Sequence, residues 1–276
     1  MNAWAPAWGR RRAQQAANSS AMEAAARWGL AARGVLYFLI GALALRIAFG
    51  DSGEQADRGG ALEELYTQPL GALLVWAVGI GLAGMAVWRL SEALVGASGP
   101  DGRKAHKRLL SAVRAAFYAF VAYSVLSFAA GEKGSGSSDA QSRDVTARAL
   151  ELPGGQWLVG IAGLAVAGAG IWIGVRAALR KYHKHLKRSS MSRRSRRAVD
   201  VLGVAGGIAR GAVFTLAGSF VAQAAMDYDP DEAKGFDDTL RVFADTPAGP
   251  WLLAAVAAGL ALFGLFSFAM ARWRRV

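Results

Sequence analysis

Long apolar runs dominate the chain, and its polar residues are concentrated between them. About 18 consecutive apolar residues are enough to suggest a membrane span, because roughly 20 residues at ~1.5 Å each cross the hydrocarbon core. No polar stripe runs along these segments, as the surface helix of a soluble protein would require. In lipid such runs form helices, since a helix pairs its own backbone groups. The pattern predicts an all-α, polytopic integral membrane protein with six transmembrane helices, at about 28–49, 72–95, 109–130, 156–179, 201–225 and 250–271.

Composition agrees with this prediction and excludes several kinds of functional site. The chain has 276 residues, of which 54% are hydrophobic and only 19% charged, whereas a soluble domain has about 25% charged residues. The absence of cysteine excludes disulfides, thiolate metal sites and cysteine nucleophiles. The net charge of +12 suggests nucleic acid at first sight, so its distribution along the chain decides its meaning.

Basic and acidic segments alternate strictly between the predicted spans. The N-terminal tail, the loops at 96–108 and 180–198 and the C-terminal tail together hold 20 Lys and Arg, against 6 in the other three loops. Lys and Arg mark the cytoplasmic face of a membrane protein, so both termini are predicted to lie in the cytoplasm, at a cell membrane. The basic N-terminal tail is not followed by a cleavage site, and the first span is expected to act as an uncleaved signal anchor. Most of the charge is therefore a topology signal, and no nucleic-acid partner is expected.

The chain repeats one two-span unit three times. Odd spans share an arginine followed by an aromatic residue four positions later and a small residue eight positions later, and even spans begin after Pro-x-Gly motifs at 69–71, 153–155 and 247–249. A two-span unit returns to its starting side, so the three copies are parallel and related by a pseudo-threefold axis along the membrane normal. Residues 61–65 and 239–243 resemble short amphipathic turns on the outer surface. The predicted divisions are 1–26 (basic tail), 27–96 (repeat 1), 97–180 (repeat 2), 181–199 (polybasic loop) and 200–276 (repeat 3).

These features resemble one bacterial family of membrane proteins. The residues that carry the resemblance are the run Ala-Ala-Arg-Gly-Val-Leu-Tyr at 31–37, the triple arginine and Pro-x-Gly frame, and the stretch from Ala224 to Leu253. The family is the domain of unknown function 1206, and the resemblance runs from about residue 25 to the end. It implies six helices built from three two-helix repeats, and it implies no activity. The middle repeat departs from the pattern, with Ala115 and Ala122 where the other repeats have glycine, so weaker packing is expected there.

The repeated arginines are the sharpest candidates for function. Arg33, Arg114 and Arg210 lie within predicted spans, where a charge costs about 2.5–3.5 kcal/mol at the centre and usually has a function. In one interpretation the three guanidiniums, with Tyr37 and Tyr118, line a small pocket or pathway for an anionic solute or lipid. In the other, the arginines extend to lipid headgroups and the tyrosines serve packing. The second interpretation is favoured for Arg33 and Arg114, because headgroups are within easy reach, whereas Arg210 lies deeper and both interpretations stay open for it.

The loop at 180–197 supports a second hypothesis from a different class. It has nine basic residues, and clusters of this kind near a span bind anionic lipids. The protein would then be a structural or regulatory membrane component without transport, which engages lipid or a partner through this loop. His183 and His185 are predicted to be solvated. The candidate headgroup contacts are Lys184, Lys187, Arg188, Arg193, Arg194, Arg196 and Arg197.

No enzymatic motif is found in the sequence. Paired acids and bases, a nucleophile with its base, a phosphate-binding loop and a metal-ligand pattern are all missing from the spans, so neither a catalytic activity nor a cofactor nor a metal is expected. The Gly-x-x-x-Gly motifs at 170–174, 203–207 and 207–211 are typical of close helix packing in lipid. They predict tight packing within the chain or a homo-oligomer.

Overall fold

The computed structural model describes residues 20–50, 55–96, 104–131, 138–244 and 248–274. Within these ranges the fold is helical, and no strand is found. In chain order the helices are α1 (Ser20–Ala48), α2 (Arg58–Thr67), α3 (Gly71–Val95), α4 (Ala105–Ala129), α5 (Ser138–Leu150), α6 (Gly155–Ala178), α7 (Arg193–Asp227), α8 (Phe236–Ala244) and α9 (Gly249–Trp273).

Six of these helices confirm the predicted spans, since α1, α3, α4, α6, α7 and α9 are long and apolar enough to cross a membrane. Helix α7 differs most from the prediction. Its 35 residues extend over about 52 Å, and it begins at Arg193 inside the segment predicted as a loop through residue 199. The cause is a capping contact, because the Ser192 hydroxyl accepts a hydrogen bond from the Ser195 N–H at 3.1 Å. We call the end of the bundle that carries this segment the basic end, and the opposite end the acidic end.

The repeats pack against one another in a cycle. Helix α3 packs on α4, α6 on α7 and α9 on α1, so the even span of each repeat meets the odd span of the next. Small residues eight positions after each repeated arginine lie in these between-repeat interfaces. A Cβ on Gly41 would meet the backbone of Ala261, and one on Gly218 would meet that of Ala167. Ala122 occupies the same place in repeat 2 and is buried.

The interfaces within the repeats are not equivalent. Helices α1 and α3 pack closely in repeat 1, as do α7 and α9 in repeat 3. In repeat 2, α4 and α6 make only marginal contact within the described residues. The six-helix ring is therefore closed at five interfaces and open at the sixth.

The Pro-x-Gly motifs act mainly through their glycines. Pro69 and Pro153 lie two residues before α3 and α6 begin, outside the first helical turn. Pro247 lies outside the described residues. The glycine of each motif is the first residue of its helix, at 71, 155 and 249, and a Cβ there would collide with a carbonyl oxygen at the end of the preceding short helix.

The short helices α2, α5 and α8 form a hydrogen-bonded ring at the acidic end. Helices α2 and α8 contain the residues predicted as short turns, 61–65 and 239–243. The Asp57 carboxylate of repeat 1 accepts from the Ser138 N–H at 2.6 Å. The Ser138 hydroxyl of repeat 2 accepts from the Phe236 N–H at 3.1 Å. The Asp237 carboxylate of repeat 3 accepts from the Ala56 N–H at 2.8 Å, which returns to repeat 1. The ring thus joins all three repeats outside the six apolar helices.

Three carboxylates of this ring are close enough to be considered as a metal site. Oxygen atoms of Asp139, Asp237 and Asp238 lie within 4.8 Å of one another. Asp237 already pairs with Arg241 at 2.8 Å, and Asp238 with Arg143 at 2.6 Å. Burial, followed by repulsion from Asp238 and Asp237, raises the pKa of Asp139 to about 6. Protein donors already pair with these carboxylates, so we do not assign a metal site to the group.

Candidate functional site

Two of the repeated arginines face the inside of the bundle. The Arg33 Nε donates to the Ser267 hydroxyl at 3.2 Å. The guanidiniums of Arg33 and Arg210 lie 5.2 and 4.9 Å from the ring of Phe263, which stands between them. Cations at this distance from an aromatic ring are attracted to it. The structure therefore places Arg33 and Arg210 among interior side chains.

Tyrosines of the neighbouring repeats accept hydrogen bonds from these arginines. Arg33 of repeat 1 donates to the Tyr118 hydroxyl of repeat 2 at 3.4 Å. Arg210 of repeat 3 donates to the Tyr37 hydroxyl of repeat 1 at 2.9 Å. The same relation would pair Arg114 with Phe214, which has no hydroxyl. Arg114 is exposed at the surface of α4, so it differs from its two counterparts.

Arg89 is a buried cation with incomplete hydrogen bonding. Its side chain is only 8% exposed and pairs with Glu92 at 2.7 Å. The Ser111 hydroxyl donates to the same carboxylate oxygen at 3.4 Å. The Nε of Arg89 is buried and has no acceptor among the described residues. A buried charged donor without a partner is costly, and it marks a place where an acceptor would be stabilised.

Arg274, directly after α9, carries a second buried donor without an acceptor among the described residues, and it interacts with Arg89. Its guanidinium lies 4.6 Å from the ring of Trp88, and its buried Nε has no acceptor in the described part of the chain. Burial lowers the pKa of Arg274 to about 9, with repulsion from Arg89 as the next cause. The group stays cationic at neutral pH.

These arginines form one electrostatically connected group. Arg274 interacts with Arg89 and Arg33, and Arg114 interacts with Arg89 and Arg176. The carboxylate that neutralises part of this charge is Glu92. We call the set of six the arginine cluster: Arg33, Arg89, Arg114, Arg176, Arg210 and Arg274.

Repetition marks three members of the cluster as candidate site residues, and it does not mark the other three. Arg89 and Arg176 do not recur at equivalent positions of the repeats, so repetition does not mark them. A signal was available for Arg89, because an arginine within an apolar run is costly wherever it stands. Arg274 was counted with the basic tail, and its burial arises only from the tertiary fold.

The segment between α6 and α7 covers the arginine cluster at the basic end. Leu186 and Met191 are buried, and the Lys187 N–H donates to the Trp273 carbonyl at 2.8 Å. Burial, followed by repulsion from Arg274, lowers the pKa of His185 to about 4. His183 pairs with Asp200 at 2.5 Å. The expectation that both histidines are simply solvated is therefore wrong, since this segment folds onto the bundle.

The candidate headgroup contacts divide into two groups. Arg188 contacts His183 at 2.8 Å, and Arg196 donates to the Arg188 carbonyl at 3.0 Å, so these two bases hold the segment together. The remaining five are exposed: Lys184, Lys187, Arg193, Arg194 and Arg197.

The glycine motifs serve packing within the chain. A Cβ on Gly170 would meet the Thr215 side chain at 2.6 Å, and one on Gly211 would meet the Gly174 backbone nitrogen at 2.8 Å. A Cβ on Gly203 would meet the rings of Tyr182 and Phe266. These contacts allow α6, α7 and α9 to approach closely.

Comparison with known proteins places the repeat frame in a family. The family model described as Domain of Unknown Function (DUF1206) matches three times, at residues 28–96, 110–180 and 205–274. The chain is 34% identical over 246 residues to the uncharacterized protein YxxB of Bacillus subtilis (strain 168), which covers 87% of each chain. No solved structure matches the chain significantly. Since the three matches coincide with the three structural repeats, the chain belongs to the DUF1206 family.

Proposed function

We propose that this multi-pass membrane protein binds an anion with charged oxygens, carried by a solute or by a lipid headgroup, in the arginine cluster. The observation that carries the proposal is the pair of buried guanidinium nitrogens, on Arg89 and Arg274, that lack acceptors among the described residues. Guanidinium groups bind phosphate and carboxylate through forked hydrogen bonds. We infer a binding or conducting role rather than catalysis.

Electrostatics supports an anion at this site. Glu92 interacts there with three arginines of the cluster, Arg89, Arg114 and Arg274, so cations outnumber it among the described residues. Like charges held close together in a medium of low dielectric constant repel strongly, and a bound anion relieves that repulsion. The tyrosine hydroxyls of Tyr37 and Tyr118 already hold Arg210 and Arg33 in fixed positions. The guanidiniums are thus preorganised, which lowers the cost of binding.

Inorganic phosphate is the probe for this proposal. We expect phosphate to raise the melting temperature of the purified protein, because a ligand that binds only the folded state stabilises it. Arg89→Gln and Arg274→Gln should each weaken the apparent affinity by at least about tenfold, which corresponds to ~1.4 kcal/mol. Arg46→Gln is the matched control, since Arg46 lies near Glu64 at the acidic end and outside the cluster. If neither phosphate nor phosphatidylglycerol stabilises the wild type, the proposal is wrong.

The direction of insertion is part of the proposal. The basic end carries the excess of Lys and Arg, so we propose that it faces the cytoplasm, in the cell membrane, together with both termini. Reporter fusions measure this directly. A fluorescent protein fused after residue 276 should be bright, and an exported phosphatase fused there should be inactive; the reverse pair of results would contradict the orientation.

The exposed bases at the start of α7 support a second role, in which the protein is a non-transporting component that engages anionic lipid or a partner. Arg197 follows Arg193 by four residues and Arg194 by three, which places it beside both on the helix surface. Replacing all three with Gln should then lower the enrichment of anionic lipid, or the recovery of a partner, without changing the phosphate-dependent stabilisation. Unchanged lipid and partner recovery would count against this role.

A further inference from the structure

At the open interface of repeat 2, the residues differ in size and exposure from those at the equivalent positions of repeats 1 and 3. Four residues before the repeated arginine stand Gly29, Leu110 and Gly206. A Cβ on Gly29 would meet the Met85 side chain at 2.5 Å, and one on Gly206 would meet the Phe263 backbone nitrogen at 2.5 Å. Leu110 is 51% exposed. The position that permits close packing in repeats 1 and 3 therefore carries a large side chain in repeat 2.

The facing helix shows the same difference. Seventeen residues after the glycine that begins each even span stand Trp88, Trp172 and Phe266. Trp88 and Phe266 are 5% and 6% exposed, whereas Trp172 is 62% exposed. A Cβ on Gly84 would meet Ala25, but one on the equivalent Gly168 would meet no described atom within 4 Å. We call the space between α4 and α6 the lateral opening. The exposed residues of these two helices include Leu109, Leu110, Val113, Gly168, Ala169 and Trp172.

Two arginines lie beside the lateral opening at the basic end. Arg114 is exposed on α4 and Arg176 is half-buried on α6. Arg114 interacts electrostatically with Arg89, whose Nε lacks an acceptor in the described chain. An apolar surface with cations at one end matches the chemistry of an anionic amphiphile. From the basic end the same cluster is covered by the segment that contains Leu186 and Met191.

We propose that an anionic phospholipid occupies the lateral opening, with its acyl chains against α4 and α6 and its phosphate at Arg114 and Arg176. This inference rests on the proposed anion site and names the membrane as the source of the anion. A second copy of the chain fits less well, because a two-fold contact through this face would bring Arg114 and Arg176 of both copies together, and like charges repel. The phosphate reaches the cluster from the side, within the bilayer.

Lipid binding to the purified protein tests the lateral route. A Cβ at Gly168 would meet no described atom within 4 Å, so Gly168→Trp adds a ring on this face of α6, and we expect it to weaken phosphatidylglycerol binding by at least about tenfold in native mass spectrometry. Ile80→Trp is the matched control, because Ile80 is 59% exposed on α3. Arg114→Gln, at an exposed site, should weaken phosphatidylglycerol several-fold and leave phosphatidylcholine unchanged.

The outcomes separate this inference from the proposed anion site. If Gly168→Trp binds phosphatidylglycerol as the wild type does, while Arg89→Gln still abolishes phosphate stabilisation, the lateral route is wrong and the anion site stands. If Gly168→Trp dissociates a dimer and leaves lipid binding unchanged, the opening is a contact between copies and the inference is overturned. If Arg89→Gln also leaves phosphate stabilisation intact, both proposals fail.

Discussion

Repeats 2 and 3 follow the same frame and differ in how their own two helices meet. In repeat 3, α7 and α9 pack with Gly206 against the backbone of Phe263. In repeat 2 the corresponding residue is Leu110, and α4 and α6 make only marginal contact in the described chain. Ala115 and Ala122, where the other repeats have glycine, are buried. In these repeats, a glycine at this position accompanies a closed two-helix unit, and a leucine accompanies an open one.

Repeat 2 keeps its place although its two helices hardly meet. Helix α4 packs on α3 of repeat 1, and α6 packs on α7 of repeat 3. At the acidic end, the Ser138 N–H of repeat 2 donates to the Asp57 carboxylate of repeat 1. The Ser138 hydroxyl accepts a hydrogen bond from the Phe236 N–H of repeat 3. The neighbours on both sides therefore fix the position of repeat 2, so an opening between its helices costs the fold little.

The largest expected effect comes from copying the repeat 2 residue into repeat 3. Gly206→Leu places a side chain where even a Cβ would lie 2.5 Å from a backbone nitrogen. Overpacking at a helix contact is expected to cost about 3 kcal/mol or more, so the folded monodisperse fraction should fall sharply in size-exclusion chromatography. Leu110→Ala is the matched control and should change the melting temperature little. Equal melting temperatures for Gly206→Leu and the wild type would contradict the comparison.

The second effect tests the ring at the acidic end. Asp57→Ala removes both the cap of α2 and the acceptor for the Ser138 N–H. Loss of these two contacts should cost about 2–3 kcal/mol. Thermal unfolding monitored by circular dichroism measures the effect, and Glu63→Ala on the exposed side of α2 is the control. A melting temperature like that of the control would show that the ring does not hold the repeats together.

The third effect concerns the tyrosines that hold two of the arginines. Tyr37→Phe removes a 2.9 Å bond to Arg210, and Tyr118→Phe removes a 3.4 Å bond to Arg33. Hydrogen bonds to charged groups contribute about 1.5–3 kcal/mol, and the longer bond should contribute less. Both variants should lower the melting temperature, Tyr37→Phe by more. The opposite order would contradict the bonding described for the cluster.

The smallest effect is a pH dependence at the basic end. The pKa of His185 falls from 6.5 to about 4 in the folded protein, so folding favours the neutral ring. The stabilisation is complete above pH 6.5 and is lost as the pH falls from 6.5 toward 4. His185→Gln should flatten this part of the curve of melting temperature against pH, by about 1 kcal/mol after allowance for solvent screening. A wild-type curve that is flat between these values would contradict the burial of His185.

Much of the fold could be predicted from the sequence, because lipid enforces helices and the period of the repeats is visible in the residues. The spans, the three repeats and the short helices α2 and α8 were predicted in this way. The beginning of α7 at Arg193 was missed, since a capping contact at Ser192 extended the helix into a basic run. Helix α5 was missed because its sequence is polar and lacks the apolar periodicity of the others.

The site was less predictable, for a physical reason. Repetition identified Arg33, Arg114 and Arg210, but the direction in which a side chain points depends on the partners that tertiary packing supplies. Phe263 and Ser267, which receive Arg33, come from the far end of the chain. Arg114 is exposed in the repeat that has Leu110 in place of glycine, and its counterpart of the acceptor tyrosines is Phe214. Only the three-dimensional arrangement joins these residues.

Thiol accessibility at one repeated position tests the central claim most directly, which is that the interface within repeat 2 is open. The chain contains no cysteine, so an introduced thiol is unique. Ala32, Val113 and Ala209 stand at the same position before the repeated arginines and are 4%, 60% and 9% exposed. In membranes, a lipid-soluble thiol reagent should label Val113→Cys readily and leave Ala32→Cys and Ala209→Cys protected. Equal protection at all three positions would contradict the open interface.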